Sequence, residues 1–218
     1  MQSYQNLKIL QNLYRLKALG YTYSDPIKIN EQTIATQPKD LASLHDQILT
    51  CHLCDFSKSR TQSMPGSGFE NAKVMFVDYT VSELEDSTSS YYVGRSGEML
   101  KKMIQNVLKL SLEEVYYTHA IKCKPLRHTQ DLSLQWQSCK NYLFAQIELI
   151  RPKVIVTLGE ESFYALMGEK ETFESLRGHI INFKKSHLVP LYHPNFLLRN
   201  PNLKKIVYND LKTIKSCL

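Results

Sequence analysis

Four cysteines and one histidine are the side chains here best suited to chemistry. Cys51-His-Leu-Cys54 is a C-x2-C pair, and Cys123 and Cys139 flank a later stretch of chain. Four thiolates from two chain regions meet the tetrahedral demand of zinc or the four corners of an iron–sulfur cube; spacing alone does not choose between them. Lys58, Arg60, Lys122, Lys124, Arg127 and Lys140 are near them in sequence. Their charge would favour thiolate over thiol, or would face phosphates. Cys217 fits no such set and reads as a buried thiol. The histidine is His193, in Leu191-Tyr-His-Pro-Asn-Phe-Leu-Leu-Arg199. Pro194 constrains the turn after it, so the imidazole projects from a strand end as a donor able to reach a pocket.

Such groups act only if a fold holds them in place. With 218 residues, 43% hydrophobic and 22% charged, the composition is globular and excludes a disordered, collagen-like or coiled-coil chain. No apolar run approaches the ~20 residues of a membrane-spanning helix, and the charge-interrupted start is not a signal peptide. The expectation is a cytoplasmic protein with reduced thiols, where metal precedes disulfide. A net charge of +6 favours a polyanionic partner.

Apolar spacing predicts a helix over 4–19, a polar linker over Tyr21–Gln37 and a second helix over Lys39–Leu49. This is an N-terminal helical arm and linker, 1–45, ahead of a main domain, 46–218. From Ala72 the pattern alternates. Strands are expected at Lys73–Val77, Glu114–Ile121 and Lys153–Leu158, with a hairpin of His179–Phe183 and His187–Leu191. Helices are expected at Gly97–Leu110, Leu132–Ile150, Glu160–Met167, a short turn after His193, and Asn202–Ile214. Alternation of this kind predicts a three-layer α/β/α sandwich around a mostly parallel sheet, with a site where strand ends meet the following loops.

Taken in order, these pieces resemble the family-4 type of uracil-DNA glycosylase, the branch with a [4Fe–4S] cluster. The resemblance covers about Cys51 to Lys212. It is carried by Cys51-x2-Cys54, Tyr92-Val-Gly-Arg-x-Gly97, Val115-Tyr-Tyr-Thr-x-x-x-Lys-Cys123, Cys139, Arg151-Pro-Lys-Val-Ile155, Leu158-Gly159, Leu176-Arg-Gly178 and Tyr192-His-Pro194 with Leu198-Arg199. It implies a cluster on Cys51, Cys54, Cys123 and Cys139, with zinc the alternative. It also implies an enzyme of base excision repair that flips uracil out of DNA and hydrolyses its bond to deoxyribose. His193 matches the donor that stabilises the departing base. Tyr92 stands where the family has a stacking phenylalanine.

Two positions depart from the family. Its first motif, Gly-Glu-x-Pro-Gly, reads Asp78-Tyr-Thr-Val-Ser82. Tyr79 therefore occupies the place of the water-orienting carboxylate, and a phenol with an unperturbed pKa of ~10 cannot act as one near neutrality. Asp78, one residue away, becomes the carboxylate candidate. His119 replaces the uracil-reading asparagine, offering one group on an edge where an amide offers two. Losses of this kind cost ~10²–10³ in rate each. The competing readings are a weak or inactive iron–sulfur DNA-binding relative, or a glycosylase with changed base preference. Glu85 and Asp86 match a family Glu-Asp pair and read as a solvated face. The resemblance further implies uracil-containing DNA, single- or double-stranded, as partner, with the protein a monomer off the membrane. Phosphate contacts are expected from Arg95, Asn195, Arg199 and Lys204, with Lys205, and from backbone N–H groups after His193. Arg177 reads as structural.

Overall fold

The structure, a computed structural model, describes residues 2–20, 38–126, 131–168 and 172–218. The expected linker Tyr21–Gln37 and the cation Arg127 lie outside the described residues. The chain divides into two compact units, 1–37 and 38–218. The first holds helix α1 (Gln2–Ala18). Helix α2 (Leu41–Leu49), which a boundary after residue 45 would cut, belongs wholly to the second. Asp40 caps α2 by accepting the Ser43 N–H at 2.7 Å, and Leu41, Leu44 and Ile48 turn inward.

The second unit is built on a six-stranded sheet: β1 (Ser67–Gly68), β2 (Val74–Thr80), β3 (Val115–Ile121), β4 (Val154–Leu158), β5 (Ile181–Phe183) and β6 (Ser186–Leu191). The strand order is β1-β3-β2-β4-β6-β5. The inner strands β3, β2, β4 and β6 run parallel, and β1 and β5 close the edges antiparallel. The hairpin expected near residues 179–191 is the β5–β6 pair. The remaining helices are α3 (Glu83–Thr88), α4 (Gly94–Lys102), α5 (Ser133–Ile150), α6 (Glu160–Met167), α7 (Phe173–Leu176), α8 (Pro194–Arg199) and α9 (Lys204–Ser216).

Alternation along β2 sets the layers. Val74 and Phe76 pack with Leu100, Ile104, Leu197 and Leu211 of one helical layer. Met75 and Val77 pack with Leu44, Leu143, Ile147 and Phe163 of the other. The expected sandwich forms, because strands buried on both faces need helices on both. Helix α4 runs on as a π-helical stretch, Met103–Leu108, which ends at Lys109 in the left-handed region (φ 62°). Helix α3 was not expected, since Glu-Leu-Glu-Asp-Ser-Thr has no apolar period; a capping box between Ser82 and Glu85 starts it. Among the described residues, no helix is long and apolar enough to cross a membrane.

The chain crosses from β2 to β3 on one side, and β4 lies on the other. Strand order therefore reverses between β2 and β4, and the crevice beyond their carboxyl ends is where such sheets bind ligands.

Candidate active site

A cavity of about 160 Å³ occupies that crevice. Asp78 reaches it from the end of β2, Tyr117 from β3, Glu85 from α3, and Ser96 from α4. Leu158 enters from β4, and His193 and Asn195 from the turn after β6. The Gly159 N–H donates to the Leu191 carbonyl at 2.8 Å and ties the ends of β4 and β6 together. Gly159 has φ 90°, and a Cβ there would lie 3.2 Å from that of His193; glycine leaves room for the imidazole.

His193 Nδ1 accepts the Asn195 N–H at 3.0 Å, which leaves Nε2 as the protonated nitrogen. Nε2–H donates to Asp78 Oδ2 at 3.0 Å. The other Asp78 oxygen accepts its neighbour's N–H, from Tyr79, at 2.7 Å. Burial by itself would raise the Asp78 carboxyl; the charge and hydrogen bond of His193, the nearby His119 and the Tyr79 N–H outweigh it and hold the pKa below the ordinary value. Burial would lower His193, yet Asp78, then Glu161 and Glu85, raise it. The Asn195 N–H opposes that rise, since it needs a bare Nδ1. Nε2 carries hydrogen in either form, so His193 presents a donor to the cavity in both.

Behind this pair stands a second. Glu85 is buried, with Oε2 accepting the Ser82 N–H at 2.9 Å and Oγ–H at 2.7 Å, and Oε1 lying 3.3 Å from His119 Nε2. Asp86, also buried, accepts Thr61 N–H and Oγ1–H at 2.9 and 3.0 Å and pairs with Lys124 at 3.4 Å. The solvated face expected for Glu85 and Asp86 is thus corrected: the capping box turns both inward.

The other assignments divide in the same way. Tyr79 does not line the cavity. It points to the other side of β2, packing toward Trp136, and burial followed by the charges of Glu161 and Asp131 raises its pKa. Tyr92 is buried under Tyr117, ring centroids 4.9 Å apart, and its hydroxyl has no partner among the described residues. Tyr117 is the aromatic residue facing the cavity. His119 is fully buried, stacked on Tyr91 at 6.2 Å, and does not line the cavity either. Arg95, Asn195, Arg199 and Lys204 are exposed. The N–H groups after His193 do not await a phosphate: Pro194 has none, Asn195 serves His193 Nδ1, and Phe196 and Leu197 serve the His193 carbonyl. Arg177 pairs with Asp210 and lies 4.9 Å over the Tyr192 ring.

Sequence reasoning passed over Tyr117 and misjudged Glu85. Strand period offered a signal: Val115, Tyr117 and His119 share one face of β3, and Asp78 is in register with His119.

The cysteines form a separate corner beyond β3. Cys123 and Cys139 are buried with Phe56 and Ile121, and Cys54 packs against them. Burial raises Cys123, with Cys54 and Cys51 adding to it and Arg60 opposing. Burial pushes the Cys139 thiol up to about 12. Of the neighbouring cations, Arg60 touches a thiol: Nη1 donates to Cys123 Sγ at 3.0 Å and Nη2 to the Cys51 carbonyl at 2.6 Å. Lys58 pairs with Asp55 and Lys140 bonds Gln137. Lys122 is buried, donating to Thr118 Oγ1 and the His119 carbonyl at 2.7 and 2.6 Å. Cys217 packs instead on the core beneath α9. Among the described residues, no three His, Cys, Asp or Glu side chains form a site for a single metal ion.

Residues 65–212 match the family model described as the uracil DNA glycosylase superfamily. The chain is 34% identical to the type-4 uracil-DNA glycosylase of Sulfurisphaera tokodaii, over 80% of this chain and 83% of that one. It is 32% identical to the type-4 enzyme of Saccharolobus solfataricus, over 82% and 87% of the two chains. With the type-4 enzyme of Thermotoga maritima the identity is 30%, over 83% and 96%.

Proposed function

The chain belongs to the uracil DNA glycosylase superfamily, and from that premise we propose that it excises uracil from DNA by hydrolysing the N-glycosidic bond. The observation that carries this reading is the His193–Asp78 pair, 3.0 Å apart, at the cavity where strand order reverses. A base flipped from the stack enters that cavity beside Tyr117. Its carbonyl oxygen takes the place of Asp78 as acceptor for His193 Nε2–H. As the C1′–N1 bond breaks, the electron pair leaves with uracil, and the donor stabilises the charge spreading onto that oxygen. Asp78, still fixed by the Tyr79 N–H, faces the developing positive charge on the sugar and orients a water toward C1′. Its low pKa suits charge stabilisation, and the proton released by the water passes to it only after attack. Exposed Arg95, Asn195, Arg199 and Lys204 contact the strand as positioning groups, so affinity falls as salt rises.

Cys51, Cys54, Cys123 and Cys139 would hold a [4Fe–4S] cluster. Supporting this are thiols from two chain regions that lie close enough for Cys54 and Cys51 both to add to the rise that burial gives Cys123, and an arginine already donating to one of them. When bound, the cluster supplies structural organisation to the segment between Cys123 and Cys139. Reduced thiols of this kind fit a cytoplasmic protein, working as a monomer on DNA.

The test is a strand-cleavage assay on uracil-containing single- and double-stranded oligonucleotides, with iron and sulfide measured on the same preparation. Alkali-labile sites at uracil are expected. No cleavage at high enzyme excess, from protein with full iron and sulfide, would overturn the activity.

A further inference from the structure

We propose that Tyr117 is the positioning residue of this site, its hydroxyl joining the Asp78–His193 pair to the buried Glu85–His119 pair as one hydrogen-bonded unit. The inference rests on the reading of Asp78 and His193 as the reacting pair. Tyr117 Oη lies 3.2 Å from Asp78 Oδ2, 3.4 Å from Glu85 Oε1 and 3.3 Å from His119 Nε2. Burial first, and then the adjacent carboxylates, raise the pKa of the phenol well above the ordinary value, so it remains a neutral donor. It has a single proton and so can serve only one of the two carboxylates at a time.

Glu85 cannot turn away, because Ser82 holds its other oxygen through both N–H and Oγ–H. His119 is wedged between Tyr91 and the edge of Tyr117 at 5.0 Å, and Lys122 holds its carbonyl. The buried pair is therefore fixed, and the hydroxyl is the element through which it meets the cavity.

The consequence falls on Asp78 Oδ2, which takes two donors, Tyr117 Oη–H and His193 Nε2–H. Each weakens the hold of the other, so the phenol keeps the histidine donor from being locked onto the aspartate and leaves it available to a base. The charged groups facing His193 are Asp78 from β2, Glu85 from α3 and Glu161 from α6. Ser96 of α4 and Asn195 of α8 line the same cavity without charge.

The imidazole titration of His193, followed by NMR on DNA-free protein, tests this in Tyr117→Phe and Glu85→Gln. Phenylalanine keeps the ring and removes the competing donor. The His193 midpoint should then rise by about half a pH unit as Asp78 turns wholly to it. Glu85→Gln removes a facing negative charge, so the midpoint should fall. Opposite movements in the two variants support the role. Unmoved midpoints, or movement in one direction in both, overturn it, because a tyrosine that merely fills space would leave the titration alone. Excision by Tyr117→Phe should lose about tenfold in kcat with KM nearly unchanged; equal loss in both also counts against positioning. The titration needs no substrate, so failure of uracil excision in the wild-type protein would sink the activity without touching this result.

Discussion

Strand β3 leads into two polar sites whose charges are handled in opposite ways. Tyr117 lines the cavity with His119 buried behind it; Cys123, just beyond the strand, belongs to the cysteine corner. In the cavity, each carboxylate has a histidine beside it inside the protein. Asp78 and Glu85 are held below the ordinary carboxylate range, burial being outweighed by their histidines, and His193 is raised by its carboxylates. In the corner, burial prevails. Cys123 is raised, Cys139 reaches about 12, and burial draws Lys122 down to about 7. The cavity thus assembles its charges as the chain folds. On the proposal of a cluster, the thiols would become ligands only against a bound cation, and the corner would be completed by what it held.

The sharpest way to break this contrast is to remove one group from each site. Cys139→Ala should cost more than about 4 kcal/mol of stability and most of the iron. A variant that melts like wild type and retains iron would show that the corner is not a ligand set. His193→Ala should lower excision by about 10²–10³-fold while shifting the melting temperature far less than Cys139→Ala. Equal loss of fold from both variants would erase the distinction.

Tyr79→Glu separates motif position from geometry. The family motif puts a carboxylate at this residue, yet the side chain here faces away from the cavity, packing with the apolar cluster that includes Trp136. The expected outcome is no gain in excision and a loss of about 1–3 kcal/mol from placing a charge on a half-buried face; Asp78→Asn should instead slow excision about 10²-fold. A restored rate in Tyr79→Glu would mean that the end of β2 rearranges on binding DNA.

Stability against pH sharpens the comparison further. The folded pKa of His193 is raised, so its contribution is complete below the unfolded value of ~6.5 and is lost as pH rises through the folded value. Asp78 is lowered, so its contribution is present above ~3.9 and disappears as pH falls through its folded value. The stability difference between wild type and His193→Ala should be largest between these limits and should shrink above neutrality, as read by denaturant titration across pH. The smallest effect belongs to the surface. Lys204→Ala should reduce the slope of log affinity against log salt by about 0.9 if that lysine meets a phosphate.

The parts legible in the sequence share a physical basis. Helix α6 falls on the expected Glu160–Met167, and β4 and α5 lie within a residue of their expected starts, because burial on one or both faces leaves an apolar period. The four cysteines and His193 stood out by residue type and by their place in the family pattern. What escaped was orientation. Tyr79 and Asp78 were weighed by motif position, and only the pleat shows that they point to opposite faces. Glu85 looked solvated because charge usually is; its burial depends on Ser82 and His119, which are distant from each other in the chain. The helix opening after His193 looked ready for a phosphate, and its own imidazole and carbonyl had already taken the N–H groups.

By itself, the sequence determined the order and kind of most elements and the layered sheet, since each leaves a local apolar period, and it marked the candidate ligand quartet by residue type. Only the tertiary structure decided that Asp78, Tyr117, Glu85 and His193 share one cavity while Tyr79 and His119 lie outside it. Strand register and a six-residue helix bring these groups together across long stretches of chain. A one-residue step along a strand reverses the face, and no local spacing reports which face the next element will cover.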